Sequence, residues 1–134
     1  MPIVFANAGE VIALKNILNN TAPQTLVLKL FTNNKIPAKT DVATDYIELA
    51  GFGYSSVVLT PGNFVFTPGD PSTAVYPQIT FTFTGAAGFI YGYYVIQSSS
   101  GSLLFANRFL NSPIQIANSG DEIRVTLTIT LNNP

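Results

Sequence analysis

Asp41, Asp45 and Glu48 lie close together in the sequence, and paired carboxyls are what glycoside hydrolysis needs on either side of a scissile bond. They are three of only seven acidic residues. Lys35 and Lys39 precede them, so the same group also reads as loop charges that keep the chain soluble. The same acids, or Asp121 with Glu122, could supply oxygen ligands to a calcium ion, but neither group has EF-hand spacing. Other catalytic kits are missing. The chain has no Cys and no His, which removes Ser–His–Asp triads, cysteine nucleophiles and the common zinc sites. A Ser–Lys pair would need a spacing such as Ser-x-x-Lys, which does not occur. Gly85-Ala86-Ala87-Gly88 follows a strand pattern, but no helix pattern opens after it and no Gly-Lys-Ser/Thr ending follows. It reads as a turn. No cofactor is expected, and the composition points away from an enzyme.

Aromatic side chains are the better functional candidates. Tyr91, Tyr93 and Tyr94, with Phe52, Tyr54 and Tyr76, exceed what a core alone requires. Tyrosine joins apolar area to a hydroxyl that seeks a partner, which suits an interface. In an extended segment Tyr91 and Tyr93 share one face and Tyr94 takes the other, so one set is expected to leave the core. The competing uses are a tyrosine at the core edge with its hydroxyl wet, and an aromatic platform for a sugar ring. The absence of Trp weakens the sugar platform.

The background for these residues is apolar and sparsely charged: 47% hydrophobic and 10% charged, with net charge -1. The basic residues form no run, and Asp41, Asp45 and Glu48 offset Lys29, Lys35 and Lys39. Phosphate contacts dominate nucleic-acid affinity, so a nucleic-acid partner is not expected. No apolar stretch reaches the ~18–20 residues that span a bilayer, so no membrane partner is expected. The first residues lack the basic and long apolar regions of a secretory signal.

At 134 residues a single domain spanning 1–134 is expected, stabilised by packing because no disulfide can form. Val11, Leu14 and Leu18 recur at helical spacing, and Ile12, Ala13 and Ile17 widen the apolar surface. The pattern predicts a helix over 8–19, with Asn7 as cap, Glu10 as its capping-box partner, and Pro23 barring continuation. With so little charge on it, this helix must be covered by the sheet or by another subunit. Residues 1–7, extended and apolar through Ile3, Val4 and Phe5, read as an arm reaching a neighbour.

From Leu26 the period changes to two. Strands are expected at 26–31, 46–49, 56–59, 64–66, 79–84, 89–96, 103–106 and 113–116. A last strand has Ile123, Val125, Leu127, Ile129 and Leu131 facing in and Arg124, Thr126, Thr128 and Thr130 facing out. The segments 89–96 and 103–106 should form a hairpin around Ser98-Ser99-Ser100-Gly101. About eight strands at ~8–12-residue spacing favour an all-β antiparallel sandwich, jelly-roll-like, with one short N-terminal helix. Neutral threonine rows facing out would tile against copies of the same chain, with few charges guarding the strand edges.

Three stretches resemble small structural proteins of tailed bacteriophages. They are Leu26-Val27-Leu28-Lys29-Leu30-Phe31-Thr32-Asn33-Asn34 with Pro37 and Gly53-Tyr54; Phe81-Thr82-Phe83-Thr84-Gly85 with Ile90-Tyr91-Gly92-Tyr93-Tyr94-Val95 and Leu104-Phe105-Ala106-Asn107-Arg108-Phe109; and Gly120-Asp121-Glu122-Ile123-Arg124-Val125 through Leu131. The resemblance implies a virion component and brings no catalytic residue. The expected role is a capsid cement or decoration protein on the outer capsid surface. Its partners would be the major capsid protein and itself, as dimer or trimer. The expected interface residues are Ile3, Val4, Phe5, Phe52, Tyr54, Tyr91, Tyr93 and Tyr94. The alternative is a tail, fibre or spike module binding host surface glycan.

Overall fold

A computed structural model describes residues 3–131. It is all-β and antiparallel, with one α-helix and twelve short strands rather than about eight. β1 (Val4–Phe5) leads into α1 (Asn7–Ile17) and β2 (Leu26–Phe31). β3 (Val57–Leu59), β4 (Val65–Thr67), β5 (Ser72–Val75) and β6 (Ile79–Thr82) follow. β7 (Gly88–Ile90), β8 (Gly92–Gln97), β9 (Leu103–Arg108), β10 (Ile114–Ile116), β11 (Glu122–Val125) and β12 (Thr128–Leu131) complete the described residues.

The main sheet has the order β1-β9-β8-β2-β3. β8 and β9 form the expected hairpin, with Val95 opposite Phe105. The larger strand number comes mostly from bends. The expected 89–96 strand breaks at Tyr91, so β7 pairs with β10 while β8 joins the main sheet. The last strand breaks at Thr126-Leu127: β11 pairs with β6, and β12 pairs with β5. The Tyr76 amide bridges that break by donating to the Leu127 carbonyl at 3.0 Å. Each bend lets one run of chain serve two sheets. It also corrects the inward row: Ile123, Val125 and Leu127 are buried, but Leu131 beyond the break is exposed. Residues 46–49 make one bridge, Phe31 with Glu48, instead of a strand.

Both faces of the main sheet are covered. On one face Leu28, Leu30, Tyr93, Val95 and Phe105 pack with Phe81, Phe83, Ile90, Ile123, Val125 and Leu127. On the other, Phe31, Tyr94, Leu103 and Ala106 pack with Ala6 and Tyr46. Tyr46 stacks on Tyr94 with ring centroids 5.1 Å apart and meets Phe31 edge-on at 4.9 Å. Burial on both faces is why the consecutive residues of β2 are nearly all apolar.

The expected N-terminal arm lies in this sheet where it is described. Val4 pairs with Ala106 and Phe5 with Phe105, and the two phenylalanine rings lie 5.2 Å apart. Ile3 and Phe5 pack on the protein's own core. The backbone of β1 fills the open edge of β9 while its apolar side chains bury area on the core. Met1 and Pro2, the start of the expected arm, lie outside the described residues.

Helix α1 follows at once, so Ala6 occupies the capping position that Asn7 was expected to hold. Ala6 makes no side-chain cap. The Asn7 amide donates instead to the Lys39 carbonyl at 2.8 Å, and Glu10 pairs with Lys39 at 3.1 Å. At the far end Asn19 takes a left-handed φ of 57°, and the Asn20 amide returns to the Lys15 carbonyl at 2.8 Å. Asparagine tolerates this left-handed position and so ends the helix. Gly9 is the closest point of helix and sheet: a Cβ there would overlap the Leu104 backbone.

Candidate interaction surface

Each of the carboxylates weighed above makes contacts within the fold. Asp41 is buried, with 7% of its surface exposed. Its Oδ1 lies 2.8 Å from Lys35 Nζ, and its Oδ2 accepts from the Tyr46 hydroxyl at 2.7 Å and the Ala38 amide at 2.8 Å. Asp45 accepts from the Val42 amide at 2.8 Å. Glu48 pairs with Lys29 at 3.2 Å and accepts from the Tyr54 hydroxyl at 2.8 Å. Asp121 accepts from the amides of Ala117 and Asn118, each at 3.0 Å, and Glu122 pairs with Arg124. Among the described residues no three acidic side chains gather as a metal cluster. Sequence reasoning missed that Asp41 is an anchor inside the loop over the sheet; its short spacing to Lys35 and Tyr46 was the available signal.

This anchor gives a pH prediction. Burial alone would push the Asp41 carboxyl up, but the contacts from Lys35, Tyr46 and the Ala38 amide outweigh it and hold the group below its ordinary 3.8. A lowered folded-state value contributes stability that is complete above pH 3.8 and lost as pH falls through the folded value. Lys35 is raised above its ordinary 10.5 by its hydrogen bond to Asp41, so its contribution is complete at neutral pH and lost only in strong base. Asp41→Asn is expected to cost about 1.5–3 kcal/mol at pH 7. It should also flatten the fall in urea midpoint below about pH 4. Parallel midpoint curves for the two proteins from pH 7 to pH 3 would refute the assignment.

The expected interface tyrosines separate. Tyr93 and Tyr94 are both buried, on opposite faces of the sheet, and so are closed to any partner. Burial pushes the Tyr94 hydroxyl up to about 12. Burial also raises Tyr93, whose hydroxyl accepts from the Asn107 amide at 3.2 Å. Tyr54 is half-buried: its hydroxyl accepts from the Leu30 amide at 3.1 Å while donating to Glu48. Tyr76 is buried and accepts from the Thr60 amide at 3.0 Å. Tyr91, at the β7–β8 bend, lies under the Arg108 guanidinium, 5.2 Å from its ring centre. The premise that one tyrosine face must leave the core fails because the loop carrying Tyr46 forms a second cover.

Phe52 remains exposed. It has a φ of 56° between Gly51 and Gly53, which are also left-handed. A non-glycine residue in that region is uncommon. Its carbonyl is held by the Thr84 amide at 3.0 Å.

The larger open apolar surface lies elsewhere. Val11, Leu14, Ile17 and Leu18 of the helix region are exposed, as are Val58, Val65, Phe66 and Leu131. Between helix and strands runs a groove of about 300 Å³, lined by Ile12, Ala13, Pro61, Phe64, Phe66 and Ile129 among others. Phe66 and Ile129 also line a second apolar depression that reaches Leu131. Between Glu48 and Arg108 the sequence holds one charged residue, Asp70. The groove wall supplied by β3 and β4 is therefore apolar and uncharged. Four of the described ion pairs use Lys29, Lys35, Lys39 and Arg124, none of which lines the groove. The groove lining offers contact area and no charged side chain.

Among the described residues no helix is long and apolar enough to cross a membrane. No family model matches the chain, and comparison with curated proteins and with solved structures finds no match.

Proposed function

We propose that this chain is a structural part of a tailed-phage virion, a capsid cement or decoration protein that sits on the outer capsid surface and ties neighbouring capsomers together. The observation that carries the reading is the apolar groove between α1, β3, β4 and β12, whose lining carries no charged side chain. In a small chain, an apolar groove edged by exposed apolar side chains such as Phe66 marks an interaction site. Phage-like stretches in β2, β6, β8, β9 and β11 supply the particle context. The domain would be a jelly-roll-like sandwich, with the main sheet as one layer and the β6–β11 pair in the other.

Attachment would bury apolar side chains at roughly 25 cal/mol per Å², less the cost of association. Repetition over a symmetric shell would multiply weak contacts. The candidate contact residues are revised accordingly: Phe66, Val65 and Leu131 at the groove replace Tyr93 and Tyr94, whereas Phe52 stays.

The test is the copy number in purified particles, measured by mass spectrometry against the major shell protein, for the natural chain and Phe66→Glu. The expected count is on the order of hundreds, in a simple ratio to the shell protein. Phe66→Glu should lower occupancy at least ~10-fold with an unchanged melting curve, because Phe66 is exposed in the free protein. A few copies to a few dozen would transfer the chain to a tail, fibre or spike. None would overturn the virion reading.

A further inference from the structure

The groove between α1 and the strands has a floor and a rim. At the floor Leu59, Leu104 and Phe105 are buried, and Ile12, Phe64 and Ile129 are half-buried. Pro61 and Phe66 stand exposed at the rim. Such a floor is reached by something narrow. One end of the groove is polar. There Gln24 and Gln97 also line a neighbouring depression, whose wall carries Lys15, Thr21, Ser99 and Ser102. No acidic residue lines either hollow.

That end holds donors and a cation without acceptors. Among the described residues Lys15 pairs with no carboxylate, unlike Lys29, Lys35 and Lys39. The Asn16 side-chain oxygen accepts from the Thr21 hydroxyl at 3.3 Å, and that of Gln97 from the Ser100 hydroxyl at 2.9 Å. Their NH2 groups have no acceptor among the described residues. The last helix carbonyls nearby are already taken: Leu14, Lys15 and Asn16 accept from the amides of Leu18, Asn20 and Asn19. We propose that the groove binds a single-chain amphiphile with an anionic head, of the fatty-acid class, its alkyl chain along the floor and its carboxylate at Lys15 and the amides of Asn16 and Gln97.

Size, polarity and charge agree on this occupant. Small-molecule sites start at ~300 Å³. A methylene is close in size to a water molecule, ~30 Å³ in the liquid, so the groove of about 300 Å³ holds about ten of them. Away from the polar end its side chains offer no hydrogen-bond partner. A peptide laid there would leave backbone amides unpaired, at a cost that an alkyl chain does not incur. Charge-assisted hydrogen bonds from an ammonium and amide donors favour a carboxylate over a neutral head. The inference does not rest on the virion reading, because the chain fills the floor and Lys15 lies away from Phe66, Val65 and Leu131.

The test is calorimetric titration of the purified chain with dodecanoate, kept below its micelle concentration. The expected result is one molecule per chain with a Kd of roughly 1–100 μM. Dodecyltrimethylammonium, with the same chain and the opposite charge, should bind at least ~10-fold more weakly. Lys15→Glu should weaken dodecanoate binding about 5–10-fold. Its melting temperature should not change, since Lys15 is exposed, and particle occupancy should not change either. Methyl NMR should show shifts at Ile12, Leu59 and Leu104. Leu110, which lines a different depression, should not shift. No binding, several molecules per chain, equal affinity for the cationic probe, or shifts centred on Leu110 would each overturn the inference. So would undiminished binding by Lys15→Glu, or binding only to vesicles of phosphatidylglycerol, which would make the ligand a membrane lipid.

Discussion

Gly92→Ala is expected to cost at least ~4 kcal/mol, leaving the purified chain unfolded or insoluble. Gly92 opens β8 in the middle of the main sheet, between β9 and β2. A Cβ there would overlap the Asn107 carbonyl oxygen and lie 2.8 Å from two ring atoms of Phe31. Neither obstacle yields easily. The Asn107 carbonyl belongs to the backbone of β9, and Phe31 has no exposed surface. That ring is wedged against Tyr46 and Tyr94, so moving it disturbs the second core as well as the strand register. Small domains have only ~5–15 kcal/mol of stability to lose. Urea unfolding read by circular dichroism checks the result. Gly62→Ala is the control. Nothing lies within 4 Å of the added carbon there, and its φ is not left-handed, so it should be neutral or stabilise by up to ~1 kcal/mol. Similar midpoints for the two variants would show that the close packing around Gly92 does not limit stability.

The same region separates what the sequence reveals from what it hides. Alternation in β6 and β11, the β8–β9 hairpin and the helical spacing of Val11, Leu14 and Leu18 are local patterns, and local patterns survive into the fold. Layering is not local. The fate of Tyr94 depends on Tyr46, carried over the sheet by a loop that Asp41 and Lys35 pin down. Alternation in β8 alone cannot reveal that cover, although the continuous apolar run of β2 hints at it. β5 was hidden because Pro68-Gly69-Asp70-Pro71 and Pro77 make its surroundings look like turn. The splits at Tyr91 and Thr126-Leu127 follow from long-range pairing, which decides where an otherwise continuous strand must bend. The candidate site was legible in part. The thin charge on the helix required a cover, and the structure leaves its outer row open. The aromatic argument could not separate Tyr93 and Tyr94, buried on two packed faces, from Phe52, which is exposed.

Gly9→Ala is expected to undock α1 while leaving most of the sheet folded. The added carbon would overlap the Leu104 carbonyl oxygen and lie 2.7–2.8 Å from the Leu104 carbonyl carbon and Cα. These are backbone atoms of β9, a strand paired on both sides, so the helix must move. Moving it strains the Ala6 amide bond to the Leu104 carbonyl, at 3.1 Å, and pulls Ile12 from the core. An isolated helix of this length is marginal in water. A displaced α1 should therefore fray, despite alanine's higher helix propensity. The expected cost is about 2–4 kcal/mol. Hydrogen exchange should show lost protection at 7–18 and retained protection in β2, β8 and β9. Because α1 forms one wall of the groove, Gly9→Ala should also lower particle occupancy, even though residue 9 touches no partner. Full protection of the helix amides in this variant would mean that the sheet moves aside for the helix, and the rigid platform assumed for the interaction surface would have to be abandoned.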